Sequence, residues 1–426
     1  AAVQITVGDL LMSENAAISA GRDVLAEVVG NIDLGGTTSV TAGRTIGWVA
    51  DNAILMQGTT TLSAETGDLL LVSDVTGEIT LSGTSTLMSG GGMLIDVKHG
   101  DLTVLDNTKM LADQGDLQIT LRDGLLTATG TTEMAGDGVT IELQTMDRSV
   151  SLSGATSILA DQSDLGIHLV QGDISMTGET TLTAKSDVNA IIDYVGDISV
   201  DGTTVITATD DNIMLETETG DMSFSDKTTI TSGTDTLLLI SAGDLRMEAA
   251  TTVTVGNDIR ATLLDGFFRF GDRTILEADR NVVIEARSGL TGSEQSAIHG
   301  ENVNVIITEG TLTMLNSALV SADLDAAVQI TVGDLLMSEN AAINAGADIT
   351  VNVDHGTVQM RADTLISAAD DLTMQVGAGY LWMQDAETLI RAEDVKVTVE
   401  KGFNPREGSI WLDLIEGDQS VWLQAI

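Results

Sequence analysis

Apolar and polar residues alternate along this chain in short runs, and the runs recur. After Gly172 the order GDISMTGETTLTA sets Ile174 and Met176 two residues apart, then Thr180, Leu182 and Ala184 at alternate positions; Gly196 opens the same order again. A period of two is that of a strand with one face buried. Three such strands are predicted in each unit. The first carries pairs such as Ile32 and Leu34, Leu102 and Val104, Met222 and Phe224, Phe268 and Phe270, or Val358 and Met360. The second carries a Thr, an aliphatic and a small residue: Thr38, Val40, Ala42; Thr60, Leu62, Ala64; Thr204, Ile206, Ala208; Thr364, Ile366, Ala368. The third carries sets such as Leu117, Ile119, Leu121, or Leu165, Ile167, Leu169, or Val395, Val397, Val399.

Seventeen such units open between Gly8 and Gly379, spaced 21 to 25 residues apart. A period of that length built from strands predicts a solenoid in which each strand pairs with its equivalent one coil later. The fold class expected is all-β, a right-handed parallel β-helix with three short strands per coil and about 17 to 18 coils. At ~4.8 Å per coil that is a rod of roughly 80 to 90 Å. Helical repeats need longer segments of period 3.6, which the β-branched alternation excludes. The Met residues at first-strand positions, among them Met12, Met56, Met176, Met247, Met314 and Met337, read as core filling.

A larger repeat overlies the coils. AAVQITVGDLLMSENAAI occupies residues 1–18 and again residues 326–343, an offset that contains fourteen coils. The expected organisation is a continuous solenoid over residues 1–400, with a fourteen-coil block at 1–325 and a second block beginning at 326. An irregular cap or junction is expected at 401–426, where Pro405, Trp411 and Trp422 break the pattern. Aligned on residue 326, Ala1 falls inside a third strand, so the natural polypeptide is expected to be a longer tandem array, with any export signal in a preceding segment.

The chain has 64 Asp and Glu against 19 Lys and Arg, a formal charge of −45. Such a surface repels nucleic acid and anionic lipid and attracts cations. No apolar run reaches membrane-spanning length, so no membrane insertion is expected in this segment. Cysteine is absent, which removes disulfides and thiolate metal sites.

The candidate chemistry lies in a column of acids before the third strand: Asp23, Asp68, Asp116, Asp164, Asp187, Asp211, Asp235, Asp258, Asp325, Asp348, Asp371 and Asp394. A second column follows the opening residue: Asp9, Asp101, Asp173, Asp197, Asp221, Asp244 and Asp334. Like charges ~5 Å apart repel by about 1 kcal/mol in water, so each column needs compensation. Either each Asp bonds the amides of its own turn, or Ca²⁺ or other divalent cations sit between stacked carboxylates. The glycine-rich nonapeptide of calcium β-rolls and the EF-hand loop are both missing. His99, His168, His299 and His355 fall in different coils without a second ligand at fixed spacing. No nucleophile elbow or P-loop occurs, so no catalytic residue and no resident cofactor are expected.

The phrases GDLLMSENAAI, GDISMTGETTLTA and GDMSFSDKTTITS resemble, over nearly the whole chain, the repeats of filamentous-haemagglutinin-type adhesins and other giant bacterial surface proteins. That resemblance implies an extracellular or cell-surface filament, stalk or adhesin. Its partners would be other copies of itself, cell-surface polysaccharide or another cell. The alternative is a carbohydrate-binding or polysaccharide-cleaving β-helix, which would need a groove lined with aromatics and carboxylates.

Overall fold

The structure, a computed structural model, describes residues 2–5, 8–384, 387–400, 412–414 and 421–425, with side chains for 8–384 and 387–400. Every regular element among them is a β-strand. The chain divides into two compact units, Ala1–Glu218 and Thr219–Ile426. Each unit is a β-solenoid of three strands per coil, with nine complete turns in the first and eight in the second among the described residues.

Pairing is parallel and runs between equivalent strands of successive coils. In the first strand Ile54, Ile79 and Leu102 stand in register. In the second, Thr60, Ser85 and Thr108 do, and in the third, Leu69, Met93 and Leu117 do. Side chains therefore keep the same face from coil to coil, as a period of two requires. The inward sets predicted from alternation are all buried, Ile32 to Met360 in the first strand, Thr38 to Ala368 in the second and Leu117 to Val399 in the third. Spacing varies in the corners and leaves the strands in step: Leu117 to Val139 is 22 residues and Val139 to Leu165 is 26, with five paired residues at both steps.

Three local devices hold the corners. The opening glycines stack so tightly that a Cβ on Gly172 would lie 1.7 Å from the Arg148 carbonyl oxygen, a gap only glycine fills. In several coils the buried Thr of the second strand donates its hydroxyl to the carbonyl three residues earlier, as Thr108 does to Leu105 at 2.8 Å and Thr156 to Ser153 at 2.9 Å, whereas the hydroxyls of Thr38, Thr364 and Thr388 make no such bond. Thr60 instead pairs with the Ser85 hydroxyl one coil on at 2.9 Å. Between first and second strands, the first unit places a single left-handed residue, such as Gly58 (φ 84°) or Asp106 (φ 60°). From Ala249 onward the second unit places two in succession. Asp272 and Arg273 have φ 48° and 64°, and Thr274 N closes the turn onto Gly271 O at 3.1 Å, as in a type I′ turn.

Leu412–Leu414 pairs with the second strand at Ile390, and Val421–Ala425 with the third strand at Val395. The rest of the cap or junction expected at 401–426, with Pro405 and Trp411, lies outside the described residues.

Candidate functional site: the acid columns

Where an acid stands at the corner before the third strand, its side chain accepts the facing amide of the next coil. Asp68 Oδ1 accepts from Gly92 N at 2.9 Å, Asp116 Oδ1 from Gly138 N at 2.9 Å, and Asp164 Oδ1 from Asp187 N at 3.2 Å. Asp235 accepts from Asp258 N, Asp325 from Asp348 N and Asp348 from Asp371 N, at 3.0 to 3.1 Å. The partner residue returns the bond with its carbonyl: Gly92 O accepts from Leu69 N at 3.0 Å and Gly138 O from Leu117 N at 2.9 Å. A carboxylate thus stands where a strand carbonyl would stand, and the bond it makes is charge-assisted. These bonds run between coils, unlike the bonds within one turn that were one of the two arrangements expected of the column.

The second column works in the same way. Asp9 accepts from Asn31 N at 2.7 Å, Asp101 from Leu125 N at 2.9 Å, Asp173 from Asp197 N at 3.0 Å, Asp221 from Asp244 N at 2.8 Å, Asp244 from Phe267 N at 3.0 Å and Asp334 from Thr357 N at 2.7 Å. Asn31 and Ser149 fill the same role, to Ala53 N and Asp173 N at 3.1 Å. A search for acids alone passes over both.

Repulsion is limited by what alternates with the acids. From Asp23 to Asp164 the column reads Asp23, Thr45, Asp68, Gly92, Asp116, Gly138, Asp164, so like charges lie two coils apart. Asp211 is not in line; the position belongs to Asn212, whose N donates to Asp187 Oδ1 at 2.9 Å. Asn281 likewise follows Asp258, with its backbone N at 3.1 Å and Nδ2 at 2.8 Å from Asp258 Oδ1. The longest uninterrupted run is Asp325, Asp348, Asp371, Asp394. There Asp371 has its pKa raised, first by burial and then by the charges of Asp348, Asp394 and Asp370.

Basic side chains also bridge coils. Arg44 reaches Asp23 at 2.8 Å, Lys109 reaches Glu133 at 2.5 Å, and Arg148 bonds Asp123. The hydrogen bond from Arg44, and that from Arg148, lower the pKa of Asp23 and Asp123 respectively. Three of the histidines face an acid on the outer surface: His168 with Asp193 at 2.9 Å, His99 with Asp123 at 3.7 Å and His299 with Asp323 at 3.8 Å. Among the described residues no three His, Asp or Glu side chains converge to hold a metal ion, whereas Ca²⁺ takes six to eight oxygens. The outer surface has open hollows of about 410 to 570 Å³. The one against the third strand of the first unit is lined by Leu70, Leu94, Asp116 and Gln118, and one at a corner of the second by Asp272, Glu294, Asn316 and Glu339.

Two outcomes follow from this geometry. Asp116→Ala leaves the buried Gly138 amide without its acceptor and is expected to cost about 1 kcal/mol in urea unfolding, the scale of a lost helix cap. Asp116→Asn keeps the oxygen and is expected to cost less than half as much; equal losses would remove the inter-coil bond as the reason for the column. For pH, the groups act with opposite signs. The raised pKa of Asp371 means that its charge opposes folding, and this is relieved as pH falls through that pKa towards 3.8. Asp23 and Asp123, with lowered pKa, contribute stability that is lost only as pH falls below 3.8 through their folded values. Acid titration of the unfolding midpoint is expected to show a rise above pH 3.8 that Asp371→Asn flattens, and a fall below it that Arg44→Ala reduces.

Compared with known proteins, the chain matches no family model, no curated sequence and no solved structure.

Proposed function

We propose that this chain is a scaffold segment of an extracellular bacterial surface protein, a tandem β-solenoid array of the filamentous-haemagglutinin kind that serves as stalk, filament or adhesin. The observation that carries the reading is that its recurring polar residues serve the coils themselves, the acids between coils and the Thr hydroxyls within a corner. The carboxylates at Asp68, Asp116 and Asp164 bond amides of the following coil, and the buried Thr hydroxyls close corners. A net charge of −45 favours solubility of such a scaffold and repels nucleic acid. The reading assigns no catalytic step and no resident cofactor. Its partners are further copies of the same repeats and the polysaccharide or surface of another cell.

Gold-labelled antibody against this chain, applied to intact cells that make the native polypeptide, tests the proposal. Label on unbroken cells is the expected result; label that appears only after lysis would overturn it.

A further inference from the structure

The outer face of the third strands in the first unit changes from apolar to polar along its length. Leu70 and Leu94 stand in register on adjacent coils and are half-buried on the outer side. The three coils that follow put Gln118, Thr140 and Gly166 in the same column. Beside the leucines runs the corner column of acids. Asp68 and Asp116 are exposed and lie two coils apart, about 9.6 Å at one strand spacing per coil. The residue between them is Gly92, which has no side chain to fill the gap. What remains is a hollow of about 440 Å³ lined by Leu70, Leu94, Asp68 and Asp116.

The two carboxylates are held in place. Asp68 Oδ1 accepts from Gly92 N and Asp116 Oδ1 from Gly138 N, both at 2.9 Å. The basic side chains of the surrounding coils are engaged elsewhere: Arg44 with Asp23 at 2.8 Å, Lys98 with Asp74, and Arg122 facing Asp96 at 3.7 Å. Two negative charges therefore face an aliphatic floor without a basic partner among the described residues. The neighbouring acid pairs lack one feature each. Asp23, before Asp68 in the column, is taken by Arg44. Asp116 and Asp164 repeat the spacing, but the outward residues beside them are Gln118, Thr140 and Gly166.

Charge at both ends and apolar surface between them fit a cation with an aliphatic body, which lays its methylenes on the leucines and keeps its charged groups at the acids. A bare divalent ion is a poorer match, since Ca²⁺ takes six to eight oxygens and gains nothing from the floor. We propose that this hollow binds a linear aliphatic diamine, with one ammonium at Asp68, the other at Asp116, and the chain along Leu70 and Leu94. Extended hexamethylenediamine spans a distance comparable to the separation of the acids. Ethylenediamine reaches one carboxylate at a time, and hexylamine brings one charge to two.

The test is titration of the full chain, methyl-labelled at leucine, with these three amines at about 0.15 M salt, where long-range attraction to the acidic surface is screened. Hexamethylenediamine is expected to shift the Leu70 and Leu94 methyl resonances saturably and to bind at least about fivefold more tightly than either of the others. Asp68→Asn combined with Asp116→Asn keeps the oxygens that accept the amides and is expected to weaken binding at least about fivefold. Leu94→Gln extends the polar column by one coil and is expected to weaken it about threefold with both acids in place. If the double variant does not fold, Leu94→Gln and the comparison of amines still decide the matter. Equal affinity for hexamethylenediamine and ethylenediamine, or equal shifts at Leu237 and Leu239 on the outer side of a third strand in the second unit, would mean attraction by charge alone and would overturn the proposal.

Discussion

Gly333→Ala is expected to cost about 3 kcal/mol or more in urea unfolding of the full chain, among the largest effects of any single methyl group here. Gly333 has φ 140°, and a Cβ built on it would lie 1.6 Å from the Gly310 carbonyl oxygen. The contact is with backbone, so no side chain can swing aside. The same carbonyl belongs to a corner fixed by Gly310 N donating to Val332 O at 2.7 Å. Relief requires the two coils to part, which breaks the ladder on either side of the corner. Gly166→Ala is the matched control. It lies on the outer face of a third strand with nothing within 4 Å of a Cβ, and it is expected to change stability by no more than about 0.5 kcal/mol. Comparable losses at both positions would mean that the glycine column reflects chain flexibility rather than the approach of coils.

Removal of one whole coil is expected to be tolerated, and removal of half a coil is not. Deleting residues 172–195 brings Ile198 onto Val150, the place that Ile174 holds, because Val150, Ile174 and Ile198 already stand in one column. Ala208 likewise replaces Ala184 beside Ala160. Each coil touches only its neighbours, so the cost is limited to one coil's contribution. Deleting residues 172–183 instead joins a corner to the third strand Val188–Val195 and leaves that coil without its first strand and most of its second. The inward sets of the coils on either side then face a gap, and apolar surface is exposed. Far-UV circular dichroism with size-exclusion chromatography separates the outcomes: a monomeric β-protein for the 24-residue deletion and an aggregate for the 12-residue deletion. A well-folded monomer from both would be incompatible with coils as the unit of the fold.

Strand positions were legible in the sequence because alternation is a local property that the neighbouring coil reinforces, and residues such as Ile174, Leu182 and Ile119 are buried as alternation requires. Corners were less legible. The segment SENAA folds with one left-handed residue in its first occurrence, Glu14, and with two in its second, Glu339 and Asn340. The adjacent coil differs: Gly36 alone is left-handed beside the first copy, Ala362 and Asp363 beside the second. Stacking therefore selects the turn, and no window of local sequence contains that information. The acid columns were visible as residue types and as candidate acceptors of turn amides, but not as hydrogen bonds between coils. Their neutral members Asn31, Ser149 and Asn212 carry the same acceptor or position without the charge that draws attention. Trp48 was also hidden. It is fully buried in a third strand, between Ala26 on one side and Leu71 on the other, a site whose size is decided by two other coils.

The central claim is that residues one coil apart stand one strand spacing apart. Spin labels on the outer face of the second strand of the first unit measure it, since Thr61, Thr86, Lys109, Glu133, Ser157, Thr181 and Val205 form one column. Labelled from Thr61, the backbone separations to Ser157, Thr181 and Val205 are expected near ~19, ~24 and ~29 Å, a constant step of ~4.8 Å. Separations that fail to grow by that step, or that shorten as sequence distance increases, would contradict the solenoid.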